Sequence, residues 1–171
     1  AIVTDPEESQ SVFRVDYRHD PMPERLKASM QGYSINTIQN LVEQMLNDRL
    51  EEIVQEKDSP FVGLGVYFGR MVRTKDVFEV YGIPKDGKEK EAFNRLLLEI
   101  ERAKRYGFTK GELDRAKADY LSMMDKAYNE RDKQENKSIV EECKRNFLYF
   151  EPMPGIDWEY NMVNQFLPFI E

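Results

Sequence analysis

FVGLGVYFGRMV, residues 61–72, reads as a strand with two unlike faces. Side chains alternate across a strand, so Leu64, Val66 and Phe68 fall on one side, while Gly63, Gly65, Tyr67 and Gly69 share the other. The first face can pack on a core, and the second is nearly bare. After the short connection Arg73-Thr74-Lys75-Asp76, the run DVFEVYGI supplies Phe78 and Val80 as a second inward pair, which predicts a hairpin. The glycine spacing does not match a dinucleotide fingerprint, and no helix follows; the glycines suit close approach by another backbone.

Upstream, between Ser9 and Asp20, Phe13, Val15 and Tyr17 alternate with Arg14, Asp16 and Arg18, the period of a strand with one buried face. Pro21 and Pro23 end it. Ile35, Ile38, Leu41, Val42, Met45, Leu46, Leu50 and Ile53 then recur every three or four residues, predicting a long helix from near Ser29 or Ser34 to the breaker Asp58-Ser59-Pro60.

Downstream, Asp86 is a candidate cap for a helix with Ala92, Phe93, Leu96, Leu97 and Ile100 on its apolar face, closed by Gly107. Thr109 and Glu112 form a capping box flanked by Phe108 and Leu113, so a new helix starts at Thr109, bearing Leu113, Ala116, Tyr120, Met123, Met124 and Ala127. NERDKQENK has no apolar residue and is either a solvated helical stretch or a break. Ser138 and Glu141 offer a second box for a helix with Ile139, Val140, Cys143, Phe147 and Leu148. Asp157 is a candidate cap for a last one. The order β-α-β-β-α-α-α-α predicts an α+β fold, with a small antiparallel sheet of three strands and helices on one face. A core formed by Leu64, Val66, Phe68, Phe78 and Val80 against Leu41, Met45, Leu96 and Leu97 is expected.

At 171 residues the chain suits one domain, or part of a larger one. AIVTDPEESQ reads like the start of an excised fragment. Charged residues make up 33% and the net charge is −7, with basic residues always interrupted by acids, so a phosphate-tracking groove is not expected. No apolar run approaches a membrane span and no signal peptide is visible. With one histidine and one cysteine, the chain lacks the ligands of a zinc site, the partner for a nucleophilic triad, and any HxxEH, HExxH, CxxC or P-loop motif. His19 reads as a surface histidine, Cys143 as a small helix residue, and Glu51/Glu52 and Glu141/Glu142 as solvated faces. Function is therefore expected in binding, in architecture, or in a larger enzyme.

The motifs LVEQMLNDRLEEI, GFTKGELDRAKADYL, NERDKQENKSIVEECKRNFL and EPMPGIDWEY, in that order and closed by Leu167-Pro168-Phe169-Ile170, carry a resemblance. From Ser9 to Ile170 the chain resembles the second half of a domain of the pitrilysin/insulinase-type zinc peptidases, the inverted zincins. The closing motif looks like the long bacterial form, in which related domains enclose a peptide-degrading chamber, and like its second domain. The resemblance implies the C-terminal half of a metallohydrolase-like peptidase domain and a non-catalytic chamber wall. Zinc would lie in the parent's first domain, with the HxxEH motif and none of its ligands here. It also implies other domains of the same chain and the peptide substrate as partners, and a cell-envelope or periplasmic location. The family's supporting Arg and Tyr follow an RLxxEL turn; here the region reads Val54-Gln55 through Phe61-Val62, which implies that this domain does not supply that pair.

Gly63, Gly65, Tyr67 and Gly69 are the candidate peptide-facing residues. Further strands upstream in the family imply an exposed sheet edge and a possible edge-strand homodimer, with the Ser9–Asp20 and Asp76–Ile83 strands as edges and Phe61–Val72 internal. The alternative is a stand-alone protein or peptide interaction module with no enzymatic role.

Overall fold

The computed structural model describes Glu7 and residues 10–171. Ser9, the expected start of the first strand, and most of AIVTDPEESQ lie outside the described residues. The elements are β1 (Phe13–His19), α1 (Glu24–Lys27), α2 (Met30–Gln55), β2 (Phe61–Val72), β3 (Lys75–Pro84), α3 (Glu89–Tyr106), α4 (Lys110–Asn129), α5 (Asn136–Tyr149) and α6 (Ile156–Phe166), with 3₁₀ turns at Arg131–Lys133 and Leu167–Phe169. The α+β expectation holds as a three-stranded antiparallel sheet with six helices. The chain forms two compact units. The first holds β1 and Glu43–Phe108, and the second holds Asp20–Val42 and Thr109–Glu171.

In the first unit β2 and β3 form the expected hairpin, with Phe68 opposite Phe78, Val66 opposite Val80, and Val72 opposite Lys75 across the turn at Arg73-Thr74. β1 runs antiparallel to the other side of β3, with Val15 opposite Val80 and Tyr17 opposite Phe78. The sheet order is β1-β3-β2, so β2 is an edge and β3 the centre, the reverse of the sequence expectation. The physical reason lies at the edges: β3 pairs along both of its sides, whereas the outward backbone groups of Val66 and Phe68 in β2 bond Asn47 and Glu43 of α2, which leaves no place for a further strand there.

Leu64, Val66, Phe61 and Val80 of the sheet pack against Leu50 and Ile53 of α2 and Ala92 and Leu96 of α3, with Phe13, Leu46, Val54, Phe78 and Ile100 at the margin. Met45 is buried but outside this cluster, and Leu41 is buried in the second unit. Phe93 and Leu97 stay more than a third exposed, because α3 lays only its Ala92–Leu96 stripe on the sheet. Phe68 is half-buried, its ring stacked on Phe78 at 4.4 Å. Gly107 ends α3 at φ 63°, a backbone conformation glycine adopts without strain.

In the second unit Ser29 accepts a hydrogen bond from the Gly32 amide at 3.1 Å, so α2 starts at the first of its two candidate positions. The Thr109 capping box forms as expected: Thr109 Oγ1 accepts from the Glu112 amide and the Glu112 carboxylate from the Thr109 amide. The other three expected caps do not form. Lys88 precedes α3 with no side-chain cap, so Asp86 stands outside it. Glu135 precedes α5, which puts Ser138 inside the helix while Glu141 pairs with Lys144 at 2.8 Å. Gly155, at φ 83°, precedes α6 and leaves Asp157 in the first turn. NERDKQENK is a break, containing the turn Arg131–Lys133 between α4 and α5.

Tyr33 lies edge-on to Trp158 and Phe166, at 5.2 and 6.1 Å between ring centres, and its hydroxyl bonds Tyr120. Burial, and then the charges of Tyr120 and Glu159, push the Tyr33 phenol far above its ordinary value. Burial also raises the Glu159 carboxyl, and Glu142 and Glu151 raise it further against the opposing charge of Arg145. The folded chain therefore holds the Glu159 proton more tightly than the unfolded chain. That contribution to stability is complete below the ordinary value of 4.5 and is lost as pH rises through the raised folded value. Glu159→Gln is accordingly expected to flatten the fall of the urea midpoint above pH 4.5 and to raise the midpoint at neutral pH; an unchanged slope would show that Glu159 titrates normally.

Candidate peptide-facing surface

The outer face of the first unit's sheet is built in three rows. Arg14 of β1 stands opposite Tyr81 of β3, and Tyr81 opposite Gly65 of β2. Asp16, Glu79 and Tyr67 form the middle row, and Arg18, Val77 and Gly69 the third. The structure thus brings together the predicted residues Gly65, Tyr67 and Gly69; Gly63 lies beyond them, opposite Ile83.

The glycine face is not bare. A Cβ on Gly65 would stand 2.6 Å from the Tyr81 hydroxyl oxygen, and one on Gly69 would meet the Tyr67 ring. Each tyrosine lies across a glycine because only the missing side chain leaves room for a flat ring against the backbone. Tyr67 and Tyr81 remain 46% and 36% exposed, so the surface is a pair of aromatic plates over backbone rather than a plain strand. Arg14 Nε sits 3.3 Å from Glu79 Oε2, and Arg18 Nη2 lies 3.7 Å from Asp16 Oδ2. Asp16 Oδ1 is buried and has no hydrogen-bond partner among the described residues. The exposed groups of this face are the rings of Tyr67 and Tyr81 and the guanidiniums of Arg14 and Arg18, whereas the Asp16 acceptor is buried.

Beside this face, the outer edge of β2 is closed by two side chains of α2. Asn47 Oδ1 accepts from the Val66 amide at 2.9 Å and Asn47 Nδ2 donates to the Val66 carbonyl at 3.2 Å, as a paired strand residue would. Glu43 Oε2 accepts from the Phe68 amide at 2.9 Å. The sequence reading missed both residues. The available signal was their spacing of one helical turn among Leu46, Leu50 and Ile53, polar groups placed beside an apolar stripe.

The remaining chemical candidates are dispersed. His19 is exposed at the end of β1, Cys143 is exposed on α5, Glu51 accepts a hydrogen bond from Gln55 at 2.9 Å, and Glu141 is tied to Lys144. The described residues do not fit a zinc ion, since none of their His, Cys, Asp and Glu side chains form a group of three or more that could hold a metal. Among the described residues no helix is long and apolar enough to cross a membrane.

No family model matches the chain. A zinc protease PQQL-like protein of Arabidopsis thaliana is 25% identical over 162 residues, which are 95% of this chain and 14% of that protein. The periplasmic protease PqqL from Escherichia coli superposes with a TM-score of 0.83 at 18% identity, over 99% of this chain and 18% of that one. A predicted insulinase family protease from Yersinia pestis superposes with a TM-score of 0.82 at 10% identity, over 96% of this chain and 35% of that one. The chain thus spans a small part of each relative, and these relatives include both plant and bacterial proteins.

Proposed function

We propose that this chain, a domain-sized segment of the insulinase/pitrilysin (PqqL-like) zinc-protease type, is a non-catalytic wall of a peptide-degrading chamber in a longer metalloendopeptidase. Peptide binding and domain packing are its roles. The observation that carries this reading is the outer sheet face, where Tyr67 and Tyr81 lie exposed over Gly69 and Gly65 in a chain whose relatives are proteases. An extended peptide can lie across such plates, with its backbone close to the strand and its side chains against the rings. Domain packing is supported by α5. It buries no residue, and it turns Val140 and Phe147, the latter 82% exposed, toward whatever adjoins it. Likeness to a periplasmic protease supports an envelope location in a bacterium.

The test has two arms. The purified 171-residue chain is expected to retain no stoichiometric zinc after dialysis and to cleave no peptide. In the longer protease, Tyr67→Ala combined with Tyr81→Ala is expected to raise KM for peptides several-fold, leaving zinc content and kcat unchanged, as for a loss of uniform binding. An unchanged KM would remove the peptide-facing role. One equivalent of zinc with chelator-sensitive proteolysis in the chain alone would remove the non-catalytic one.

A further inference from the structure

Charge on the outer sheet face is layered. Arg14 and Arg18 stand four residues apart on β1, on the same side as Tyr67 and Tyr81, and their side chains are 59% and 61% exposed. The carboxylates they pair with lie deeper, the Glu79 side chain being 18% exposed and that of Asp16 19%. A guanidinium has five N–H donors, so one carboxylate partner does not use them up. Lys75, two positions before Val77, falls on this face as well and is exposed. The face thus turns cations and phenol rings to solvent in a chain whose net charge is −7. Cations gathered on one face of an acidic chain favour an anionic ligand over a neutral one.

The rows of the sheet also set a spacing. Arg14 shares its row with Tyr81 and Gly65, and Arg18 shares its row with Val77 and Gly69, over which the Tyr67 ring lies; Asp16 and Glu79 occupy the row between. At the rise of a strand the two arginine positions are about 13 Å apart. A peptide extended along β1 has the same rise and turns every second side chain to the sheet. Three successive sheet-facing side chains then fall over Arg14, over Asp16 and Glu79, and over Arg18.

We propose that this face selects acidic peptides, and that the preferred one is extended, with carboxylates four residues apart on Arg14 and Arg18 and a neutral side chain between them. The proposal rests on the peptide-facing reading of the sheet and adds the class of peptide to it. Charge complementarity at the two exposed guanidiniums selects the occupant. The buried carboxylates select the spacing: with acids two residues apart, at most one meets an arginine, and in the middle row an acid faces Asp16 and Glu79.

Fluorescence anisotropy of the 171-residue chain with three short labelled peptides tests this. One peptide carries two glutamates four residues apart, the second carries them two residues apart in the same composition, and the third has glutamine in place of both. The first is expected to bind roughly three- to tenfold more tightly than the third, the range for two exposed ion pairs, with the second between them. The difference is expected to shrink as salt is raised. Arg14→Gln combined with Arg18→Gln, its fold checked by circular dichroism, is expected to bring the first peptide down to the affinity of the third. Arg14→Lys combined with Arg18→Lys is expected to recover part of that loss. Equal affinity of the parent chain for the two glutamate peptides would overturn the proposal without recourse to any variant, as would a folded glutamine variant that keeps the preference. Tyr67→Ala combined with Tyr81→Ala separates the two readings. If that variant loses affinity for all three peptides while the parent binds the three alike, the peptide-facing role stands and the acid preference falls. If no peptide binds the parent, or binding ignores the two tyrosines, the peptide-facing role falls and the acid preference with it.

Discussion

Phe61→Ala is expected to destabilise the first unit by about 3–5 kcal/mol, the range for truncating a buried phenylalanine. Phe61 is only 1% exposed, and its ring meets Phe13 edge-on at 6.4 Å. Its removal leaves a cavity between the sheet and the stripes Leu50–Ile53 and Ala92–Leu96, where the surrounding backbone is held by ladder and helix bonds and relaxes little. Phe68→Ala is expected to cost about half as much: Phe68 is half-buried, and the main loss is its stacking on Phe78. Urea unfolding followed at neutral pH checks both, and equal midpoints for Phe61→Ala and the parent chain would show that the inner face of β2 is wrongly assigned.

Asn47→Ala is expected to cost roughly 2–6 kcal/mol, because the amide N–H and carbonyl of the buried Val66 lose their partners together at about 1–3 kcal/mol each. Asn47→Asp separates the two contributions: the carboxylate still accepts from the Val66 amide but cannot donate to its carbonyl, so a smaller loss is expected. A second readout follows from the edge itself. With Asn47 gone, β2 gains an open stretch in a long strand, and aggregation on prolonged incubation should rise relative to the parent. If Asn47→Ala unfolds at the parent's urea midpoint and stays as dispersed, the closed edge has no energetic role.

Much of the fold was legible because it rests on period and local bonding. The hairpin of β2 and β3, the strand Phe13–His19, the length of α2 and the box at Thr109 each depend on residues within a few positions of one another. The likeness to insulinase-type proteases, read from ordered motifs, agrees with the match to the plant protein and with the superposed structures. The caps were less legible. Asp86, Ser138 and Asp157 have the chemistry of a cap, but helix starts are also set by where the preceding chain can turn, as at Gly155 with φ 83°.

By itself the sequence determined the three strands and the five longer helices, though not the short α1 at Glu24–Lys27, since these follow from side-chain alternation and helical spacing along a single element. Tertiary structure decided what the faces of those elements meet. Strand order places β3 between β1 and β2, a choice that depends on residues more than forty positions apart and leaves no mark in local period. The same long-range packing brings Asn47 and Glu43 onto the edge of β2, lays Tyr81 over Gly65, and leaves Val140 and Phe147 of α5 in the open despite their helical spacing. Burial is a property of pairs of surfaces, and one strand or helix read alone specifies only one member of each pair.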